Sequence, residues 1–138
     1  MARFRLDPRI EGDSVPIGRL ALCDVRLMDR RAWPWLVLVP RRAGAAELHD
    51  LGPGDRARLV EEVALAGRVL KRLERAAKIN IGALGNVVPQ LHVHVVARRK
   101  GDAVWPGPVW GLPVPVPYSP EDLAARVMAL AKALRRLA

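Results

Sequence analysis

The chain has 138 residues, 51% of them apolar, and carries 23 Lys and Arg against 14 Asp and Glu, for a formal net charge of +9. That length suits a single domain, residues 1–138, with a core of its own, and the charge favours polyanionic partners such as nucleic acid or polyphosphorylated small molecules. A lone cysteine, Cys23, excludes an internal disulfide; no uncharged apolar run reaches eighteen residues and MARFRLDPRIEGD has no signal-peptide pattern, so a cytoplasmic protein without membrane association is expected.

Residues 1–17 mix charges with Pro8 and Pro16 and read as an extended lead-in over the core. GRLALCDVRLM (18–28) alternates as one half-buried strand, with Leu20 and Leu22 on its apolar face. DRRAWP turns the chain, and the apolar run WLVLV (35–39), ended by Pro40, suits a central strand buried on both faces. The segment 41–55 connects to the clearest helix, about 53–78, where Leu59, Val63, Ala66, Leu70, Leu73 and Ala77 recur at steps of three and four. INIGAL (79–84) and QLHVHVVAR (90–98) read as two further strands, separated by the loop GNVVP. Five prolines make 100–118 an irregular surface segment. SPEDLAARVMALAKALRRLA closes the chain as a helix, with Ser119 as cap, Pro120 in the first turn and Asp122 placed to complete a capping box. The order strand, strand, helix, strand, strand, helix is an α+β fold, an antiparallel sheet with its helices on one side.

Chemistry concentrates in QLHVHVV. On a strand, Gln90, His92, His94 and Val96 share one face, successive members about 7 Å apart, while Leu91, Val93, Val95 and Ala97 face the core. The two imidazoles admit three readings: residues of a solvated face, ligands of a metal, or a nucleophile with its support. The metal reading needs a third ligand, for which His49 or a carboxylate is available, and no HExxH or cysteine spacing supplies one.

PQLHVHVVAR resembles the signature of the histidine triad (HIT) family of nucleotide-binding hydrolases and transferases, HxHxH followed by two apolar residues, with Gln90 in the first histidine's place. LCDVRLMDRRAWPWLVLVPRR is similar to the family's strand pair, ELHDLGPGD to the start of its long helix, and GNVVP to the glycine-polar loop before the triad. RRKGD and WPGPVWG point to a bacterial branch with glutamine at the first position. The resemblance implies a HIT-like antiparallel sheet with one long helix and a C-terminal helix. His92 then matches the nucleophile that attacks the α-phosphate and forms a nucleotidyl-imidazole, and His94 the supporting histidine. Asn86 matches a phosphate-contacting residue, Asp29 a ribose-binding one, and His49 a histidine found near the helix start in some members. The resemblance also implies a homodimer.

The residue types suit that chemistry on their own terms. Nucleotidyl transfer needs positioning and charge stabilisation around phosphate oxygens, and neither covalent step needs a metal or other cofactor. A neutral His92 can attack if its other ring nitrogen donates to a fixed acceptor, such as a backbone carbonyl. Arg98, on the same face, can meet a distal phosphate or simply be solvated. Gln90 cannot protonate a leaving group as an imidazolium can, which predicts cleavage of dinucleoside polyphosphates in preference to phosphoramidates. The rival readings are a nucleotide sensor with the same pocket and little turnover, and a metal-dependent enzyme using His92, His94 and His49. No nucleic-acid motif is present, so no specific nucleic-acid partner is expected. Trp35 reads as core; Trp105 and Trp110 can stack on a base, cover a partner subunit or pack within the monomer.

Overall fold

A computed structural model of the chain describes residues 2–112 and 115–138. Five strands form one antiparallel sheet in the order β1-β2-β3-β5-β4: β1 (Ser14–Arg19), β2 (Cys23–Met28), β3 (Trp35–Pro40), β4 (Lys78–Gly82) and β5 (Val93–Arg98). The WLVLV run is the middle strand, fully buried along its length as its unbroken apolar pattern requires. The long helix α2 (Pro53–Leu73) and the C-terminal helix α3 (Pro120–Leu137) pack on one face. The fold is therefore α+β, as expected.

Strand β4 ends at Gly82 instead of residue 84 and β5 begins at Val93 instead of residue 90, and three larger differences from the sequence reading follow. Residues 18–28 are not one strand: β1 and β2 form a hairpin whose turn spans 20–22, and buried Glu62 of α2 accepts the N–H groups of Leu22 and Cys23 there. Pro16 is tolerated because β1 is an edge strand, with a register shift between Pro16 and Gly18. The supposed lead-in holds a six-residue helix, α1 (Pro8–Asp13), capped by the Asp7 side chain accepting from Arg9 N. A helix this short shows no periodicity, but Asp-Pro at its start is a legible signal. Helix α2 stops at Leu73: Arg75 adopts φ 50°, and the N–H of Ala76 returns to the carbonyl of Lys71, a left-handed termination without the usual glycine. Leu73 and Ala77 are consequently exposed.

Alternation sorts the sheet's side chains onto two faces. Cys23, Val25, Leu27, Leu36, Leu38, Val93, Val95 and Ala97 meet the helices in the main core. The stripe of α3 covers this core through Leu130 and Leu134, and the Ser119 hydroxyl caps the helix by accepting from Asp122 N. Met28, Trp35, Val37, Val39 and Val96 point the other way, into a second cluster with Ile10, Val109 and the partly buried Phe4, Leu6, Trp110 and Leu112. Among the described residues, no helix covers that second face apart from α1. It is closed by the N-terminal segment and by the proline-rich stretch after β5, of which Pro113 and Val114 lie outside the described residues.

Candidate active site

The second face carries the histidines. Both are buried, His92 just before β5 and His94 within it, and their rings meet edge to face at 4.9 Å. His92 Nδ1 lies 2.6 Å from the carbonyl of Gln90. A carbonyl only accepts, so Nδ1 carries the proton and Nε2 presents a lone pair.

His94 is held in the opposite tautomer. Trp35 Nε1 donates to its Nδ1 at 2.9 Å, which leaves the ring's proton on Nε2. Burial first, then the electrostatic influence of the neighbouring His92 ring and of Arg30, push the His94 pKa down to about 4, so this imidazole is neutral at ordinary pH. Trp110 packs edge-on to both Trp35 and His94, with ring centroids at 6.3 and 6.0 Å, and the Arg30 guanidinium lies 4.6 Å over the Trp35 ring. The register explains the meeting: Val37 pairs with His94 and Trp35 with Val96, so Trp35 is the diagonal same-face neighbour of His94.

His92 and His94 open into a cleft of about 480 Å³ whose walls include Arg9, Asp13, Arg30, Asn86 and Trp110. Its floor and sides are apolar where Ile10, Met28 and Val37 contribute. A smaller cavity of about 290 Å³ adjoins it and shares His92. His49, exposed on a 3-10 turn (Leu48–Asp50), lines this second cavity with Gln90. The structure thus brings His92, His94 and Asn86 together around one space, and His49 and Gln90 around its neighbour. Among the described residues, no three His, Cys, Asp or Glu side chains form a group able to hold a metal, which leaves the His92, His94, His49 set without a shared ligand position.

Two expected roles do not match their surroundings. Arg98 is 1% exposed and cannot reach a distal phosphate: its guanidinium binds Asp102 through Nε and Nη2, donates to Asn80 Oδ1, and lies over Trp105. It holds Asp102 down to about 2 and anchors the segment after β5. Asp29 is not a wall of the cleft; its Oδ1 accepts from Tyr118 N at 2.9 Å, while its neighbours Met28 and Arg30 line the space. The Gln90 carboxamide is held by the N-terminal segment, Nε2 donating to the carbonyl of Arg5 and Oε1 accepting from Asp7 N, so its orientation is fixed by backbone groups. Sequence reasoning also missed Trp35 as a partner of His94, and Arg9, Ile10, Asp13 and Arg30 as cleft walls. Pairing 35–39 against the histidine strand makes Trp35 legible; the α1 residues needed the overlooked Asp-Pro helix start.

Comparison with known proteins places this geometry. The HIT domain profile matches residues 9–101, more than half of the chain. A crystal structure of a histidine triad protein from Sinorhizobium meliloti is 51% identical with a TM-score of 0.91, over 94% of this chain and 96% of that one. A histidine triad protein from Marinobacter aquaeolei is 42% identical with a TM-score of 0.95, over 99% and 100% of the two chains. A bis(5'-nucleosyl)-tetraphosphatase (asymmetrical) from Schizosaccharomyces pombe is 32% identical over 72 residues, 49% of this chain and 39% of that protein, so the match spans well under two thirds of its length. The fold, the paired histidines and these matches make the chain a member of the histidine triad (HIT) family.

Proposed function

We propose that the protein cleaves a nucleotide phosphoanhydride, of the dinucleoside polyphosphate kind, at the α-phosphate through a nucleotidyl-histidine intermediate. The observation that carries the reading is the 2.6 Å contact of His92 Nδ1 with the Gln90 carbonyl, which leaves Nε2 as a lone pair at the cleft. That lone pair bonds to the α-phosphorus as the bond to the leaving oxygen breaks, and the leaving polyphosphate departs with the electron pair. Water then attacks the same phosphorus, one of its protons passes to solvent, the P–N bond breaks with its electron pair returning to Nε2, and the nucleoside monophosphate leaves as neutral His92 is regenerated. His94, neutral with its proton on Nε2, is suited to donate to a phosphate oxygen, as is the Asn86 amide on the cleft wall. Arg9 and Arg30 supply positive charge at the cleft, and the apolar surface of Ile10, Met28 and Val37 suits a nucleoside.

With no imidazole at position 90, the amine of a phosphoramidate lacks a proton donor there, whereas polyphosphate leaves as an anion. His49, on the adjoining cavity, is the remaining imidazole on that side. The reading also includes a homodimer: β4 is an edge strand, and Ile81 on it and Leu84 just beyond are 55% and 47% exposed, as an interface would require. A nucleotide sensor is the second reading, favoured by the absence of an imidazole at position 90, where the Gln90 side chain instead binds the N-terminal segment. No helix among the described residues is long and apolar enough to cross a membrane.

The test is hydrolysis of a panel of adenine and guanine dinucleoside polyphosphates, with His92→Ala as control and mass spectrometry of the quenched enzyme. Turnover that falls at least ~10³-fold in His92→Ala, with a nucleotide trapped on His92, is expected. Tight nucleotide binding without turnover moves the assignment to the sensor.

A further inference from the structure

Gln90 stands where the family's usual motif has its first histidine, and its carboxamide does something an imidazole cannot. Nε2 donates to the carbonyl of Arg5 and Oε1 accepts from the N–H of Asp7, each at 2.8 Å. Arg5 and Asp7 are two residues apart, so the side chain brackets an extended segment much as a neighbouring strand would. A carboxamide carries one donor and one acceptor on the same carbon. A carboxylate can only accept, and the two ring nitrogens of imidazole diverge and cannot serve both backbone groups together.

The bracket is one of several fastenings. The Asp7 carboxylate caps α1 through Arg9 N, and Arg9 Nη1 donates to the carbonyl of Val87 at 3.0 Å. Residues 5–9 are thereby tied to the stretch 87–90 at both of its ends. Immediately beyond, α1 presents Ile10 and the exposed carboxylate of Asp13 to the histidine cleft. Meanwhile the backbone carbonyl of the same Gln90 receives His92 Nδ1. One residue therefore holds a cleft wall with its side chain and the histidine with its main chain.

We propose that Gln90 is a positioning residue for nucleotide binding: its carboxamide holds the N-terminal segment so that Ile10 packs against the nucleoside and Asp13 accepts from the sugar hydroxyls. The proposal rests on the nucleotide reading of the cleft and assigns the sugar contact to Asp13, which lines the cleft where Asp29 does not. Position 90 is then a binding determinant in this chain, in place of a proton donor.

Amide hydrogen exchange of the full chain, together with nucleotide binding and turnover, tests it in Gln90→Ala, Gln90→His, Gln90→Glu and Asp13→Asn. Gln90→Ala and Gln90→His are expected to speed exchange at Asp7 and through α1 about tenfold or more, leaving α2 and β3 unchanged. The KM for diadenosine tetraphosphate, or the Kd for ADP, rises about tenfold in the same variants while kcat moves less than about threefold. Gln90→Glu, which keeps only the acceptor, gives smaller changes than Gln90→Ala, and Asp13→Asn weakens binding without altering exchange. Unchanged exchange in residues 5–13, or acceleration spread equally over α2 and β3, overturns the clamp. Faster exchange with unchanged KM and Kd overturns its link to binding. If the unmodified protein binds ADP but turns nothing over, the hydrolytic reading fails while weaker ADP binding in Gln90→Ala still supports the clamp.

Discussion

On one face of the sheet, Val25, Leu36, Leu38 and Val95 lie beneath α2 and α3; on the other, Trp35, Val37, His94 and Val96 lie beneath α1 and two largely irregular segments. The helical face is held mainly by apolar contacts, each individually small, with buried Glu62 on the β1–β2 turn as its polar exception. The histidine face depends more on individual polar fastenings: Gln90 on Arg5 and Asp7, and Arg98 on Asp102 and Asn80. Redundant packing makes a scaffold, whereas single bonds to backbone place particular groups. Such a division puts the histidine cleft on the side where each polar contact has a separable effect.

The largest expected effect that separates the faces comes from the helical side. Leu70 of α2 is fully buried in the main core. Leu70→Ala removes its buried methyl groups and leaves a cavity, which costs about 2–5 kcal/mol of stability. Because the cleft lies across the sheet, kcat and KM of the remaining folded protein stay unchanged. Urea unfolding monitored beside steady-state kinetics checks this. A change in KM at full folding would mean that the faces are coupled.

The same contrast sets what the sequence discloses. Strands β3 and β5 and helix α2 were legible because each satisfies a periodic burial rule: WLVLV is apolar throughout, LHVHVVA alternates, and Leu59, Val63, Ala66 and Leu70 recur helically. His92 and His94 were legible as a pair from the strand period and Asn86 only from the resemblance of GNVVP to the loop before the triad; all three line one cleft. Arg98 was misread because period two gives its face and not its partner, and Asp102 lies four residues on in an irregular stretch. The Gln90 clamp spans more than eighty residues and joins a side chain to backbone, which leaves no pattern in either segment. Fastenings of this kind are invisible to periodicity, and they are what the histidine face is made of.

A second prediction concerns pH and sharpens the contrast from the histidine side. His94 has its pKa depressed from 6.5 to about 4 in the folded protein, first by burial. Between those values the unfolded chain binds a proton that the folded one does not, so stability is fully present above about pH 6.5 and falls as pH drops toward 4. The full shift corresponds to roughly 3 kcal/mol. Denaturant unfolding from pH 7 to 4, comparing the protein with His94→Gln, isolates this contribution because the other titrating groups are common to both. Parallel stability curves in the two proteins would show that His94 titrates normally.

The smallest effect tests how closely the irregular covering fits. Gly82, at the end of β4 and paired with His94, leaves room for the six-membered ring of Trp110: a Cβ added there meets its Cζ2 and Cη2 at 3.1 Å. That spacing is tighter than ordinary contact, so in Gly82→Ala the indole must shift by a few tenths of an ångström. Trp110 lies in an irregular segment, where a shift is easier than within the sheet, so the stability cost is expected at about 1 kcal/mol, the low end for overpacking. The displaced ring no longer covers His94 and Trp35 in the same way. Water reaching His94 then weakens the burial that depresses its pKa, moving it back toward 6.5. NMR titration of the His94 ring reads that change directly, and tryptophan fluorescence reports the ring's movement. An unchanged titration with altered fluorescence would assign the low pKa to the neighbouring His92 and Arg30 and to burial by the sheet itself, leaving Trp110 as a wall of the cleft alone.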